Sequence, residues 1–360
     1  NIDLMKCSAV FAVLLLNCLN SHAGGPRFRV EGQVLDPSGT PLKGIYSARG
    51  GKLSAIRRDN KNLYYDGNRW RDLSAETGKR DVRIETLGAG EFHPATWLPS
   101  AGATNRVSGY LYGNQALLAP MSSTSSIRPG ITVAGGDWVA GGIPTVGNPD
   151  VFLVGYAYNV RTQETREYSW DKRTVAIAAN SKGTILFRGS GNDSLADHAI
   201  GRMRNGVVEG IGINGQAWTD AMNDHDDVLI TRNLGGDVHI AYGDGTVSPE
   251  LGGDMVQPTD WFEGVAISNS RLALLYAGSY YFADTKGWYP IRETLEGVPA
   301  NFNQSSVLLD PVTDQLYIRG YYGTNQNERY VLRANPVPEP GTLAALGLGV
   351  AAMLRRRRKG

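Results

Sequence analysis

His239-Ile240-Ala241-Tyr242-Gly243-Asp244-Gly245-Thr246-Val247 reads as strand, tight turn, strand, and the same shape recurs along the chain. It returns in Leu63-Tyr64-Tyr65-Asp66-Gly67-Asn68-Arg69-Trp70, in Tyr110-Leu111-Tyr112-Gly113-Asn114-Gln115, in Ile200-Gly201-Arg202-Met203-Arg204-Asn205-Gly206-Val207-Val208 and in Tyr280-Tyr281-Phe282-Ala283-Asp284-Thr285-Lys286-Gly287-Trp288-Tyr289. Asp-Gly and Asn-Gly at the bends supply the positive φ that a two-residue hairpin requires, and β-branched and aromatic residues flank them.

The turn glycines Gly67, Gly113, Gly206, Gly245 and Gly287 are separated by 46, 93, 39 and 42 residues. The doubled step holds a hairpin with a longer turn, Val151-Phe152-Leu153-Val154-Gly155-Tyr156-Ala157-Tyr158 into Glu167-Tyr168-Ser169-Trp170. A second series of apolar runs lies between the hairpins, at 184–189, 228–232, 272–278 and 315–320, with steps of 43 to 44. Two series sharing one period define a unit of about 44 residues with at least three strands. That period predicts a β-propeller-like array of about six or seven four-stranded blades. One small sheet cannot bury both faces, whereas blades stacked around an axis bury each face against a neighbour. A β-sandwich with chance periodicity is the competing reading.

Three units carry a further pattern: Ala178-Ala179-Asn180-Ser181-Lys182-Gly183, Ala221-Met222-Asn223-Asp224 and Ala266-Ile267-Ser268-Asn269, followed by His198-Ala199-Ile200, His239-Ile240-Ala241 and Glu250-Leu251-Gly252-Gly253. Residues 170 to 295 thereby resemble the HAF-type extracellular repeat, a resemblance that implies export and a propeller-like fold but no reaction. The segment Arg29 to Gly44 resembles the first hairpin of a carboxypeptidase-regulatory-like sandwich. The alternative is that Phe28 to Leu35 forms a strand closing the ring against the last blade at Tyr330-Val331-Leu332-Arg333.

The two ends read differently from this body. After Met5-Lys6 comes the apolar run Ala9 to Leu16, too short for the ~20 residues of a bilayer span, and then Ser21-His22-Ala23 with Gly24 following. This order predicts a signal peptide at 1–23 cut between Ala23 and Gly24. Both cysteines, Cys7 and Cys18, fall inside it, so the body at 24–336 has none and depends on packing for stability. At the other end, Val337-Pro338-Glu339-Pro340-Gly341 cannot be helical at its prolines. It leads into the apolar run 342–354 and then Arg355, Arg356, Arg357, Arg358 and Lys359. Extended hinge, short hydrophobic helix and cationic membrane stop follow in that order. An apolar helix of 13 to 15 residues is ~20 Å long, short of the ~30 Å hydrocarbon core.

Pro338-Glu339-Pro340, the apolar run and the arginines resemble the PEP-CTERM sorting signal of exosortase substrates. The resemblance covers residues 337–360. It implies a Gram-negative host, transient inner-membrane insertion, cleavage near the motif by an exosortase-type enzyme, and a life at the surface or in the exopolysaccharide matrix.

Without its ends the formal charge of +1 changes sign: residues 24–336 hold 30 basic and 33 acidic side chains, a net −3. A weakly acidic body argues against a nucleic-acid partner, which would require a clustered basic face. Of the four histidines in the body, His93, His198, His225 and His239, none has a second ligand or base at useful spacing. No zinc, nucleophile-elbow or phosphate-loop motif occurs, and no cofactor is expected. Asn223-Asp224-His225-Asp226-Asp227 is the densest oxygen cluster. As a calcium site it would draw on Asp224, Asp226 and Asp227, but it lacks the glycine and distal glutamate of a calcium loop and reads more readily as a solvated turn. The tryptophans, about one per unit, suit packing between blades; exposed, they would stack on sugar rings. A non-enzymatic surface or matrix protein associated with exopolysaccharide is therefore the leading expectation. A secreted polysaccharide-active enzyme with paired carboxylates at the propeller's mouth is the alternative.

Overall fold

The computed structural model describes residues 25–338, except 146–147, 170–172, 191–198, 212–216, 233–236 and 253–262. The protein is all-β and forms a seven-bladed propeller. Its seven sheets follow one another along the chain, at 44–71, 80–117, 130–168, 173–210, 217–241, 263–290 and 295–336. In the first six the strands pair antiparallel in chain order from A outward; in the seventh Phe302–Leu309, Leu316–Tyr322 and Arg329–Pro336 are A to C, and Leu295–Glu296 pairs in parallel with the strand that supplies D. The first hairpin series of the sequence is the C–D turns, and the second series is the B strands. At the C–D turns Gly67, Gly113, Gly206 and Gly245 have φ of 101°, 58°, 77° and 92°, the region that only glycine enters freely. The blade at 217–241 has three strands among the described residues, its fourth position being held by an isolated bridge from Ala241 to Val247.

All seven A strands share a feature that the sequence pattern does not display. Each carries a register shift against its B strand, for instance at Ile45/Ser47, Ile131/Val133, Ala176/Ala178, Gly264/Ala266 and Gln304/Ser306. Such a bulge bends the strand and increases its twist, which turns the inner strand of each blade about the axis.

The apolar core is divided in the way the stacking argument requires. Among the described residues it consists of seven clusters, one between each adjacent pair of blades. Phe187 and Met203 meet Val133, Ala140 and Ala157 across one interface, and Leu186 and Ile200 meet Val228 and Ile230 across the next. The two faces of a single strand therefore serve two cores, the period-two rule applied to a sheet covered on both sides.

The ring is closed by its first strand. Phe28–Gln33 lies antiparallel to Arg329–Pro336, pairing Phe28 with Pro336 and Gln33 with Leu332, and so takes the D position of the seventh blade. This is the ring-closing arrangement; the sandwich hairpin does not form. Asp36 then folds the connector into the first blade, accepting hydrogen bonds from the Ser38 and Thr40 amides at 2.8 and 2.9 Å. Two short helices, Leu73–Thr77 and Ile291–Thr294, complete the described elements. No helix among the described residues is long and apolar enough to cross a membrane. The expected hydrophobic helix at 342–354 and the signal at 1–23 lie outside those residues.

Candidate functional site

Antiparallel pairing places residue 28 and residue 336 at the same end of the seventh blade. Beyond them the Val337 amide donates to the Arg27 carbonyl at 2.8 Å, and the exposed Pro338 follows. In the other blades this position is the C–D turn; in the seventh it is the gap between the two ends of the described chain. Pro338 thus stands outside the sheet's hydrogen-bonded frame. Glu339, Pro340, Arg355, Arg356, Arg357 and Arg358 lie outside the described residues, as do Ala23 and Gly24.

The same face of the ring carries the A–B turns, which are tied to one another by buried polar groups. Asn180, Asn223, Ser268 and Asp310 occupy equivalent turn positions and are fully buried. The Asn223 carbonyl oxygen Oδ1 accepts from the amides of His225 and Asp227 at 2.9 Å, folding its own turn, while Nδ2 donates to the Ser268 carbonyl of the next blade at 2.9 Å. Asn180 donates likewise to the Asn223 carbonyl at 3.2 Å, and Asp310 accepts from the Gly50 and Gly51 amides of the first blade at 2.8 Å. The Ala-x-Asn steps of the sequence are thus clasps between neighbouring blades, and each satisfies groups that would otherwise be buried unpaired.

The three aspartates of the expected oxygen cluster face four different cations. Asp224 pairs with Arg49 of the first blade, so this contact crosses the ring from the fifth blade. Asp226 meets Arg204 at 3.3 Å and Lys182 at 3.6 Å, and Asp227 accepts from Arg271 at 2.9 Å. Burial raises the Asp226 carboxyl, but hydrogen bonds from Thr184 and Asn180 and the charges of Lys182 and Arg204 outweigh it and hold it below the usual range. Desolvation likewise pushes Asp224 up, and Arg49, the Ser181 amide and Asn269 bring it below the ordinary value. Among the described residues, no group of three or more His, Cys, Asp or Glu side chains is placed to hold a metal ion. Arg49, Arg204 and Arg271, which sit far apart in the sequence, carried no signal there; stacking of adjacent blades brings Arg204 and Arg271 to these carboxylates, and the ring brings Arg49.

A cleft of about 420 Å³ opens between the first and second blades on this face, lined among others by Lys52, Asp66, Arg71, Glu91 and Tyr112. At its base His93 is buried. Nδ1 accepts from the Gly88 amide at 3.1 Å, which leaves the proton on Nε2 to be donated to the Tyr64 hydroxyl at 3.1 Å. Desolvation, aided by the charges of Lys52 and Arg71, lowers its pKa to about 4. A neutral imidazole with both nitrogens engaged has no lone pair free to act as a base. His225 is exposed, His239 is half-buried with Nδ1 at 3.0 Å from the Ser248 carbonyl, and His198 lies outside the described residues. Of the tryptophans, Trp97 and Trp288 are buried between blades, whereas Trp70 and Trp138 are half-buried.

Residues 336–359 match the family described as the PEP-CTERM protein-sorting motif. The chain therefore carries the signal of an exosortase-sorted surface protein, exported and anchored at its C-terminus before processing. No curated protein matches the chain. Solved structures similar to it include "YCF48 bound to D1 peptide", with 13% identity, TM-score 0.46, and coverage of 88% of this chain and 98% of that one. A streptogramin B lyase has 13% identity and TM-score 0.45 over 86% of this chain and 98% of that one. The extracellular domain of the one-component system BT4673 from B. thetaiotaomicron has 11% identity and TM-score 0.44, covering 86% of this chain and 40% of that one.

Proposed function

We propose that the protein is a non-enzymatic component of the cell surface or extracellular matrix, cut from its anchor by an exosortase-type enzyme and associated with exopolysaccharide. The observation that carries this reading is the sorting motif directly after Val337, the last residue hydrogen-bonded to the ring among the described residues. Cleavage beyond Val337 severs no sheet bond among the described residues, so the propeller keeps its closing strand when it is released from the membrane. The resemblance of residues 170–295 to extracellular HAF-type repeats, transient membrane insertion of 342–354, and removal of 1–23 belong to the same proposal. Its non-enzymatic part draws support from the ring-end carboxylates, which are bound to guanidinium and ammonium groups instead of standing as a free acid–base pair.

The test is intact-mass measurement of the protein from envelope and medium of its own host, for the wild type and for Pro338→Ala, Glu339→Ala and Pro340→Ala. The expected wild-type mass lacks both the first 23 residues and the tail beyond the motif; the variants fold with unchanged Tm but stay in the membrane with the tail attached. Normal maturation of the variants would overturn the sorting assignment. Release of reducing ends from polysaccharide by the purified protein would overturn the non-enzymatic part.

A further inference from the structure

The seam that closes the ring also leaves a hollow on its rim. Between the outer strand Phe28–Gln33 of the seventh blade and the outer strands of the first lies a cleft of about 330 Å³, at the small end of the range that holds small-molecule ligands. Its apolar wall is built from Leu53, Tyr65 and Trp70. The Tyr65 and Trp70 rings are inclined at 48° with centroids 5.2 Å apart, and both are half-buried against the core between these blades. The opposite side is polar: Glu31 and Arg333 form an ion pair at 2.7 Å. The pairing of the closing strand slips between Val30 and Gly32, and Gly32 has φ of 142°, which an L side chain rarely adopts. A bulge of this kind re-aims the neighbouring side chain, here Glu31.

We propose that this cleft binds a neutral sugar residue of a polysaccharide. Two rigid aromatic rings offer an apolar face to the C–H side of a pyranose. The facing carboxylate and guanidinium set an acceptor and a fork of donors side by side, the arrangement that a pair of neighbouring hydroxyls satisfies at once. Because these two charges cancel, the rim attracts neither an anionic nor a cationic ligand, which selects neutral sugars over uronates and amines. The site deepens the exopolysaccharide reading, on which the choice of a saccharide ligand rests, and it gives that association an address on the molecule.

Saturation-transfer NMR on the mature protein, with cellotetraose, maltotetraose and tetra-N-acetylchitotetraose as separate probes, tests the site. At least one probe should receive saturation from the wild type. Its affinity should fall by tenfold or more in Trp70→Ala and in Glu31→Gln, and should be unchanged in Trp138→Ala, whose half-buried tryptophan lies in another blade. Glu31 is solvent-exposed at the rim, so Glu31→Gln reports on the site even if Trp70→Ala folds poorly. Absence of binding for all three neutral probes, or binding equal in wild type and Glu31→Gln, would overturn the proposal. Sedimentation with the host's own exopolysaccharide separates this failure from that of the wider reading. Co-sedimentation that persists in both variants sinks the cleft and leaves the matrix association standing, and a protein that binds the probes yet never leaves the membrane does the reverse.

Discussion

His93 shows how one buried side chain sets the molecule's response to acid. Its imidazole has an ordinary pKa of 6.5 in the unfolded chain and about 4 in the fold, so between these values the unfolded state binds the extra proton. Stability therefore rises with pH across that window and is lost on acidification, by about 3 kcal/mol in total for a shift of this size. Urea unfolding from pH 7 to pH 4 should show this slope, and His93→Gln, which keeps a hydrogen-bonding side chain without the titration, should flatten it. Asp226 acts in the same direction at lower pH. Its carboxyl is held below the usual 3.8, so the stability it contributes is present above that value and is lost as pH falls through its depressed pKa. The lower acid limb should consequently survive in His93→Gln.

At the scale of the element, the closing strand has the largest consequences per residue. Phe28 is 1% exposed and stacks on Phe282 of the sixth blade with centroids 5.1 Å apart, so its ring reaches beyond its own sheet into the interface between the last two blades. Phe28→Ala should cost about 3–5 kcal/mol, measured by denaturant unfolding, and should raise hydrogen exchange in 329–336 before the other blades. The C and D strands were legible in the sequence because their turns need glycine at positive φ, and the B strands because their apolar runs are unbroken. The A strands were harder to read. Each contains a bulge that interrupts the two-residue alternation, and several, such as Thr174-Val175-Ala176-Ile177-Ala178-Ala179, are built of small residues suited to the crowded axis. The clasping role of Asn180 and Asn223 was visible only as a repeated Ala-x-Asn step. The rim cleft left no local trace, since Glu31, Tyr65, Trp70 and Arg333 come together only when the two ends of the chain pair.

For the whole molecule, the seventh blade is a hairpin whose turn has been cut. Residues 27 and 337 already share the main-chain hydrogen bond that a tight turn would close. Joining them through Asn-Gly and opening the chain at the exposed turn 101–104 should give a circular permutant that folds to the same propeller, with near-ultraviolet circular dichroism unchanged and Tm within a few degrees of the parent. Failure to fold would mean that the order in which blades form, and not only their final pairing, is needed to close the ring.

The way the two ends leave the seventh blade also fixes how the protein bears load. A pull that separates residue 27 from residue 337 opens the antiparallel pair from one end, rupturing its bonds in succession as a zipper does. A pull on residue 337 alone draws Arg329–Pro336 lengthwise between two neighbours, Leu316–Tyr322 on one side and Phe28–Gln33 on the other. Both ladders then resist in shear, and their bonds must fail together. Tethered through the sorting end, the ring is mechanically strong; gripped by both ends, it peels.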